Sequence, residues 1–346
     1  MSCGLTSCGR NNVGTGVPAS PPASSRDDSS TPSSSGAKRK VGLVTDVGGV
    51  NDKSFNQSAW KGVQDAMKAF GIEGRFVESK QPTDYEKNID QFVHEGYNPI
   101  ITVGFLMGDA TRVKAKQYPN VHFLIIDFAY KAEEYQKDLK NVTSLMFRED
   151  EVGFLAGVVA GGMTKTGVIG AVCGMEIPPV VRFAKGYESG AKWMRPDVKV
   201  LITYIASFTD PTKGKETARS MINQGADVIF GVGGTTGNGG LREAKDAGVM
   251  AIGVDVDQYL TYPEVRSALV TSAMKNVDVA VFNALKELQE KGTLRGGVRE
   301  SNLRNGGIGL APFHDWEDKV PQRVRDKVKE AIEGLKAGQI ATGYKP

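Results

Sequence analysis

Residues 41–70 carry the sequence VGLVTDVGGVNDKSFNQSAWKGVQDAMKAF, which predicts a strand, a glycine turn and a helix. The first five residues are apolar or small and end at Asp46, which is typical of a strand that is buried on both faces. After the turn, Asp52 or Ser54 can cap a helix from about 55 to 70. The apolar side chains of this helix recur at helical spacing, at Ala59, Val63, Ala66, Met67 and Phe70.

The same alternation of strand and helix continues along the chain. Further strands are predicted at 75–78, 100–103, 122–126, 168–173, 199–205, 228–231 and 251–254. The helices between them are predicted at 85–96, 109–118, 149–163, 180–194, 211–224 and 239–247. This order indicates parallel sheets that are covered by helices on both faces.

The pattern forms two halves of similar design, so we predict an α/β protein with two doubly wound parallel-sheet lobes joined by a hinge. We assign residues 40–147 and about 256–295 to an N-terminal lobe. Residues 148–255 and about 300–346 are assigned to a C-terminal lobe. Because the last part of the chain must serve both lobes, we expect several crossings between them.

Composition argues against several classes of function. The chain has 346 residues, with 43 Lys and Arg against 40 Asp and Glu, and a net charge of +3. These charges are well mixed, so we expect no nucleic-acid partner. No apolar stretch approaches the roughly 18 residues of a membrane helix. His94, His122 and His314 are scattered singly and predict no metal site, and we expect no cofactor.

The first 39 residues predict a lipobox and a disordered tether. Residues 9–37 are rich in Ser, Pro, Gly, Asn and Thr and cannot bury enough apolar surface to offset their ordering entropy. The stretch from Leu5 to Gly9 resembles a bacterial lipobox, with Cys8 as the lipidated residue. The apolar part of a signal peptide has about 7–15 residues and does not fit before Cys8. We therefore expect that the start codon was assigned too far downstream or that the N-terminus was removed. The alternative is a cytoplasmic protein with a flexible tail.

Candidate ligand contacts follow from the strand ends, because open parallel sheets bind ligands beyond the carboxyl ends of their strands. Three of these ends carry an aspartate, Asp46, Asp127 or Asp255. Each could cap a helix instead, but three in one cleft could accept hydrogen bonds from a ligand. The rule selects Asp46 to Phe55, Gly104, Phe105, Asp127, Ala206 to Thr209, Gly231 to Gly239, and Asp255.

Aromatic residues and glycines at these ends favour binding without catalysis. Phe55 and Phe208 occupy equivalent positions in the two halves and could fill the core or clamp a flat ring. The glycine run 231–239 lacks the Gly-Lys-Ser/Thr ending of a phosphate loop and does not fit G-x-G-x-x-G. We expect it to let the backbone approach a neutral ligand. We find no nucleophile with a base partner and no catalytic motif.

The sequence closely resembles the basic membrane protein family, the PnrA-like purine nucleoside receptor lipoproteins of ABC transporters. The resemblance extends over nearly the whole chain from residue 40. Its motifs are Val44 to Gln57, Glu151 to Gly157, Thr164 to Gly167, Arg182 to Tyr187, Gly231 to Gly239, and Gly253 to Gln258.

The resemblance implies a type I periplasmic-binding-protein fold that closes on a nucleoside. It implies that Phe55 and Phe208 sandwich the base. It further implies that Asp46, Asn56 and Asp127 bind the base edges, while Asp255, Lys275 and backbone near Gly233 bind the ribose. Position at the strand ends adds three candidates, Asn51, Asp52 and Phe105.

We therefore predict an extracytoplasmic substrate-binding protein that is lipid-anchored to the cell membrane and captures a nucleoside for an ABC permease. The family resemblance favours a purine nucleoside. We expect a monomer and no enzymatic activity. One alternative is a sugar or signal-molecule receptor on the same fold. A second is a nucleoside-processing enzyme, such as a hydrolase or phosphorylase, and a third is a surface interaction protein.

Overall fold

The computed structural model describes residues 38–345, which form two six-stranded sheets. Strands are numbered in chain order. The first sheet contains β1 (Lys40–Thr45), β2 (Glu73–Val77), β3 (Ile100–Val103), β4 (Phe123–Ile126), β5 (Val142–Phe147) and β11 (Gly297–Ser301). The second contains β6 (Val168–Cys173), β7 (Lys199–Tyr204), β8 (Val228–Val232), β9 (Met250–Asp255), β10 (Leu269–Lys275) and β12 (Ile308–Leu310).

The two sheets have the same strand order, which runs β11-β5-β4-β3-β1-β2 in the first and β12-β10-β9-β8-β6-β7 in the second. Every pairing is parallel except that of β10 with β12. In each sheet the order reverses between two central strands, β1 and β3 or β6 and β8. Such a reversal opens a crevice at the carboxyl edge, where ligands bind in this class of fold. The predicted α/β architecture of two sheets is confirmed.

Helices connect the strands. They are α1 (Phe55–Phe70), α2 (Tyr85–His94), α3 (Gly108–Gln117), α4 (Ala132–Lys137), α5 (Glu149–Met163), α6 (Pro178–Met194), α7 (Pro211–Asn223), α8 (Gly234–Asp246), α9 (Gln258–Thr261), α10 (Val277–Lys291) and α11 (Gln322–Lys336). The predictions for α1 and α5 were right at both ends. In the part of the chain that the structure describes, no helix is long and apolar enough to cross a membrane.

The glycine run 231–239 differs from the prediction, because α8 begins at Gly234 and not at Gly239. Most of the run is therefore helical rather than a ligand-facing loop. Its glycines serve close helix packing: a Cβ on Gly239 would lie 2.0 Å from the Pro211 carbonyl oxygen at the start of α7. Contact between the two helix backbones thus overrides the low helix propensity of glycine.

The chain passes between the lobes three times, and this corrects the predicted lobe boundaries. Strand β10 belongs to the second sheet, although residues 256–295 were assigned to the N-terminal lobe. Helix α10 then returns and packs on α1 of the first lobe. Strand β11 joins the first sheet before β12 re-enters the second, so the crossings follow β5, β10 and β11. Lobe membership depends on which sheet edge a strand completes, and sequence spacing does not reveal this.

Helix α5 begins directly after the first crossing and is the central helix of the second lobe. Beyond its acidic first turn the helix is apolar on all sides, and 13 of its 15 residues are buried. Glycines allow α5 and α6 to pack with their backbones almost in contact. A Cβ on Gly157 would lie 2.1 Å from the Tyr187 carbonyl oxygen, and one on Gly190 would lie 1.9 Å from that of Phe154.

We predict that Gly190→Ala lowers the free energy of unfolding by about 1–3 kcal/mol, because the added methyl group must push the two helices apart. Urea unfolding measures the change. Gly309→Ala is the matched control, since a Cβ at Gly309 would meet no atom of residues 38–345 within 4 Å. Equal stability of the two variants would contradict close backbone packing between α5 and α6.

Candidate functional site

A cavity lies where the carboxyl ends of strands from both sheets meet. The first lobe contributes residues that follow β1, β3 and β4. The second lobe contributes residues that follow β8, end β9 and β10, or lie at the start of α6. The cavity therefore lies at the crevices where both strand orders reverse.

Ten of the eleven predicted ligand-binding residues line this cavity. They are Asp46, Asp52, Phe55, Asn56, Phe105, Asp127, Phe208, Gly233, Asp255 and Lys275. The eleventh, Asn51, is exposed and lies in a separate surface groove beside Lys53 and Lys215. Asn51 follows the glycine turn, which directs it away from the cavity. The predicted lipidation site, Cys8, lies outside the described residues.

The prediction missed an apolar wall that α6 contributes. Ile177, Pro179, Val180 and Phe183 line the cavity at the start of this helix. The motif from Arg182 to Tyr187 was a signal for this part of the chain. However, the sequence does not show whether an apolar residue at the start of a helix packs in the core or lines a cavity. That depends on where the other lobe lies.

Glycines let polar and aromatic side chains approach the crevice floor. Gly104 has a φ of +108°, and a Cβ there would lie 2.8 Å from Asp46 Oδ2. In the second lobe, a Cβ on Gly174 would lie 2.5 Å from the ring of Phe208. Gly233 has a φ of +154°, and a Cβ there would lie 2.4 Å from the Gly174 nitrogen. The two lobes thus use the same device at equivalent strand ends.

Asp46, Asp52 and Asn56 form a hydrogen-bonded group at the start of α1. Asn56 Nδ2 donates to Asp46 Oδ1 at 3.1 Å and to Asp52 Oδ2 at 3.3 Å. Asp52 also accepts backbone N–H groups of the first helical turn, including that of Asn56 at 2.8 Å. Both donors of the Asn56 amide are thereby used. Its Oδ1 is buried and has no partner within residues 38–345, so it can accept from a ligand.

A chain of alternating charges runs behind the cavity and includes two residues that the prediction missed. Arg182 Nε donates to Glu149 Oε2 at 2.6 Å. The other oxygen of Glu149, Oε1, lies 2.8 Å from Lys275 Nζ, which donates to Asp127 Oδ2 at 2.5 Å. Glu149 and Lys275 are almost fully buried. Such charged side chains can be buried only because they pair with partners that are distant in sequence. The spacing of apolar residues does not reveal these partners.

Asp127 and Asp255 hold equivalent positions and the same strained backbone. Their φ angles are +67° and +65°, in the left-handed region that aspartate tolerates better than most residues. Asp127 Oδ1 is buried without a partner in the described part of the chain. Asp255 Oδ2 accepts from Ser54 Oγ at 2.5 Å, which leaves its second oxygen for a ligand. Strain of this kind is found at binding sites, where the surrounding structure holds it.

Burial raises the pKa of every aspartate around the cavity. For Asp127 it raises the pKa to about 7, although Lys275 opposes the shift. Burial also raises the pKa of Asp46 and Asp255. Burial alone would lower the pKa of Lys275, but Asp127 and Glu149 raise it overall, so its ammonium stays charged. The site therefore offers acceptors and one fixed cation.

We predict that Asp52 makes the stability of the fold depend on pH. Burial raises the pKa of this carboxyl group from its ordinary 3.8 to about 7. The folded chain holds this proton more tightly than the unfolded chain. The stability from this group is therefore complete below about pH 4 and is lost as the pH rises to about 7. Between pH 5 and 7 the loss is about 2 kcal/mol.

Urea unfolding at pH 5 and pH 7 tests this expectation. Asp52→Asn should show a smaller loss between the two pH values than the unsubstituted chain. Asp318→Asn, at an exposed aspartate, is the control and should leave the loss unchanged. If Asp52→Asn loses as much stability between pH 5 and pH 7 as the unsubstituted chain, another group causes the pH dependence.

The comparisons with known proteins agree with this geometry. Residues 39–340 match the family model described as ABC transporter substrate-binding protein PnrA-like. The chain belongs to this family. Its members bind substrates for ABC transporters and are not enzymes, which confirms the predicted family and the predicted absence of catalysis.

Relatives and a solved structure extend the likeness over most of the chain. The ABC transporter nucleoside-binding protein BmpA of Lactococcus lactis subsp. cremoris is 34% identical, over 93% of each chain. An uncharacterized lipoprotein of Pyrococcus abyssi is 34% identical over 85% of this chain and 73% of its own. A crystal structure of an ABC transporter solute-binding protein from Aeropyrum pernix K1 has a TM-score of 0.80 and 30% identity, covering 88% of this chain and 92% of that one. The predicted periplasmic-binding fold is thereby confirmed.

Proposed function

We propose that this substrate-binding protein captures a nucleoside, preferably a purine nucleoside, between its two lobes. The observation that carries the proposal is the pairing of aromatic rings and acceptors in one cavity. Phe55 of the first lobe and Phe208 of the second line the same space. Around them lie buried carboxylates that accept hydrogen bonds and, when ionised, donate none. A ligand with flat apolar faces and several N–H and O–H donors matches this lining.

The residues divide the ligand between them. The two phenylalanines stack on the base, a contact worth about 1–3 kcal/mol per base. Asp46, Asn56 Oδ1 and Asp127 Oδ1 accept from the base edge. Their free acceptors are complementary to ring and exocyclic N–H groups of a purine.

The ribose is assigned to the other side of the cavity. Asp255 accepts from hydroxyl groups, and Lys275 donates to their oxygens. The Lys275 ammonium lies 4.9 Å from the centroid of the Phe55 ring, so the cation is held at the aromatic wall. Gly233, at the start of α8, adds backbone contact. The lactococcal relative is itself named a nucleoside-binding protein, which supports the assignment.

We further propose that Cys8 carries the lipid anchor and that an ABC permease receives the ligand. The name of the Pyrococcus relative, a lipoprotein, supports an extracytoplasmic position at the membrane. Mass spectrometry of the protein from its native membrane tests the anchor. An acyl group on Cys8 is expected, and an unmodified Cys8 would contradict it.

Isothermal titration calorimetry tests the ligand class. We expect adenosine, guanosine or inosine to bind, uridine to bind more weakly, and ribose or a hexose to bind least. Binding of a free sugar without any nucleoside would favour a sugar receptor. Release of free base during incubation would instead indicate a nucleoside-processing enzyme.

We predict that Phe208→Ala weakens binding of a purine nucleoside roughly tenfold to a hundredfold, because one stacking surface is lost. Affinity for free ribose should not change. Phe313→Ala is the control, because Phe313 is also half-buried in the second lobe but does not line the cavity. Equal loss in both variants would indicate a general loss of folding rather than a lost base contact.

A further inference from the structure

The segment 52–54, between β1 and α1, belongs to the first lobe but hydrogen-bonds to the second. Asn238 Nδ2 donates to the Asp52 carbonyl oxygen at 2.8 Å. Thr261 Oγ1 donates to the Lys53 carbonyl oxygen at 2.8 Å. Gln258 Nε2 lies 3.4 Å from the same oxygen and completes the set. The acceptors are main-chain carbonyls, so the side chains of 52 and 53 take no part.

The donors of the second lobe are held in place by other bonds. Gln258 is fully buried, and its Oε1 accepts from the Val254 N–H at 2.9 Å. Its Nε2 donates to Asn238 Oδ1 at 2.9 Å. Once Asn238 Oδ1 accepts this bond, its amide can only present Nδ2 to the Asp52 carbonyl. These bonds lie within the second lobe, so they orient the pair without help from the first lobe, which lowers the entropy cost of the contact.

The segment in the first lobe has a matching distortion. Lys53 has a φ of +64°, a conformation that is rare for residues other than glycine. Such strain persists where the surrounding structure holds it, and both donors to the Lys53 carbonyl come from the other lobe. The next residue, Ser54, donates to Asp255, a cavity residue. The cross-lobe bonds therefore adjoin the ligand site, although Asn238, Gln258 and Thr261 do not line it.

We propose that Asn238, Gln258 and Thr261 form a latch that binds the main chain of residues 52–53 when the lobes close. The latch sets how long the cleft stays closed and leaves ligand selectivity to the cavity. Asn238 and Gln258 belong to the motifs Gly231 to Gly239 and Gly253 to Gln258. Neither residue lines the cavity, so contact with a ligand does not explain their presence. Because the latch contacts only protein, its contribution is the same for every ligand that the closed cleft accepts.

The first test measures dissociation of guanosine and of inosine by stopped flow. The nucleoside readout depends on the proposed function. Thr261→Val removes one donor with little change in shape, and the dissociation rate should rise roughly threefold to tenfold for both nucleosides. Thr261→Ser keeps the hydroxyl and should restore the slow rate. The ratio of the two affinities should not change.

The second test uses no ligand. Small-angle scattering should give a larger radius of gyration for Thr261→Val and for Asn238→Ala than for the unsubstituted chain. Gln224→Ala is the control, because the side chain of this exposed glutamine bonds to Ser220 of α7 and, among residues 38–345, to no residue of the first lobe. Thermal melting confirms that each variant is folded.

The outcomes separate the latch from the ligand class. An unchanged dissociation rate in Thr261→Val, or a change in selectivity between the two nucleosides, would overturn the latch. If no nucleoside binds the unsubstituted chain, the proposed function fails and scattering alone decides. An unchanged radius in both folded variants then overturns the latch, and a larger radius supports it.

Discussion

The buried ion pair between Lys275 and Asp127 is the interaction on which the site depends. Lys275 ends β10 in the second sheet, and Asp127 follows β4 in the first, so their 2.5 Å contact joins the two lobes. Separating two buried charges leaves each without compensation, which costs far more than the loss of a surface pair. The pair therefore fixes how the two sheet edges meet around the cavity.

Glu149 and Arg182 extend this constraint to the hinge. Glu149 is the first residue of α5, directly after the crossing from β5, and Lys275 immediately precedes the crossing to α10. The Glu149 carboxylate, through its contact with Lys275, thus connects two of the crossings at the hinge between the lobes. Arg182 balances the carboxylate, so the chain consists of two cations and two carboxylates. Ligand chemistry and hinge position share the same four charges.

Sequence patterns predicted most of the fold because the strands are short apolar runs and helices such as α1 have a clear apolar face. Eight of the ten predicted residues that line the cavity came from the strand-end rule, and Asn56 and Lys275 came from the family resemblance. The rule depends only on where each strand stops. It failed at Asn51, which a glycine turn directs outwards. It could not find Glu149 or Arg182, because their burial depends on partners distant in sequence. The lobe membership of β10 was wrong for a related reason: sheet order is a long-range property.

The cavity and the latch divide affinity into two parts with different dependence on the ligand. Contacts made by Phe55, Phe208 and the strand-end aspartates change with the shape and donors of the ligand. Contacts made by Asn238, Gln258 and Thr261 do not, because they end on protein carbonyls. A closed form that is stabilised in this way presents the same cross-lobe surface whatever ligand it holds. Since a ligand shifts an equilibrium only by its differential affinity, the latch reduces how much of the closing energy the ligand must supply.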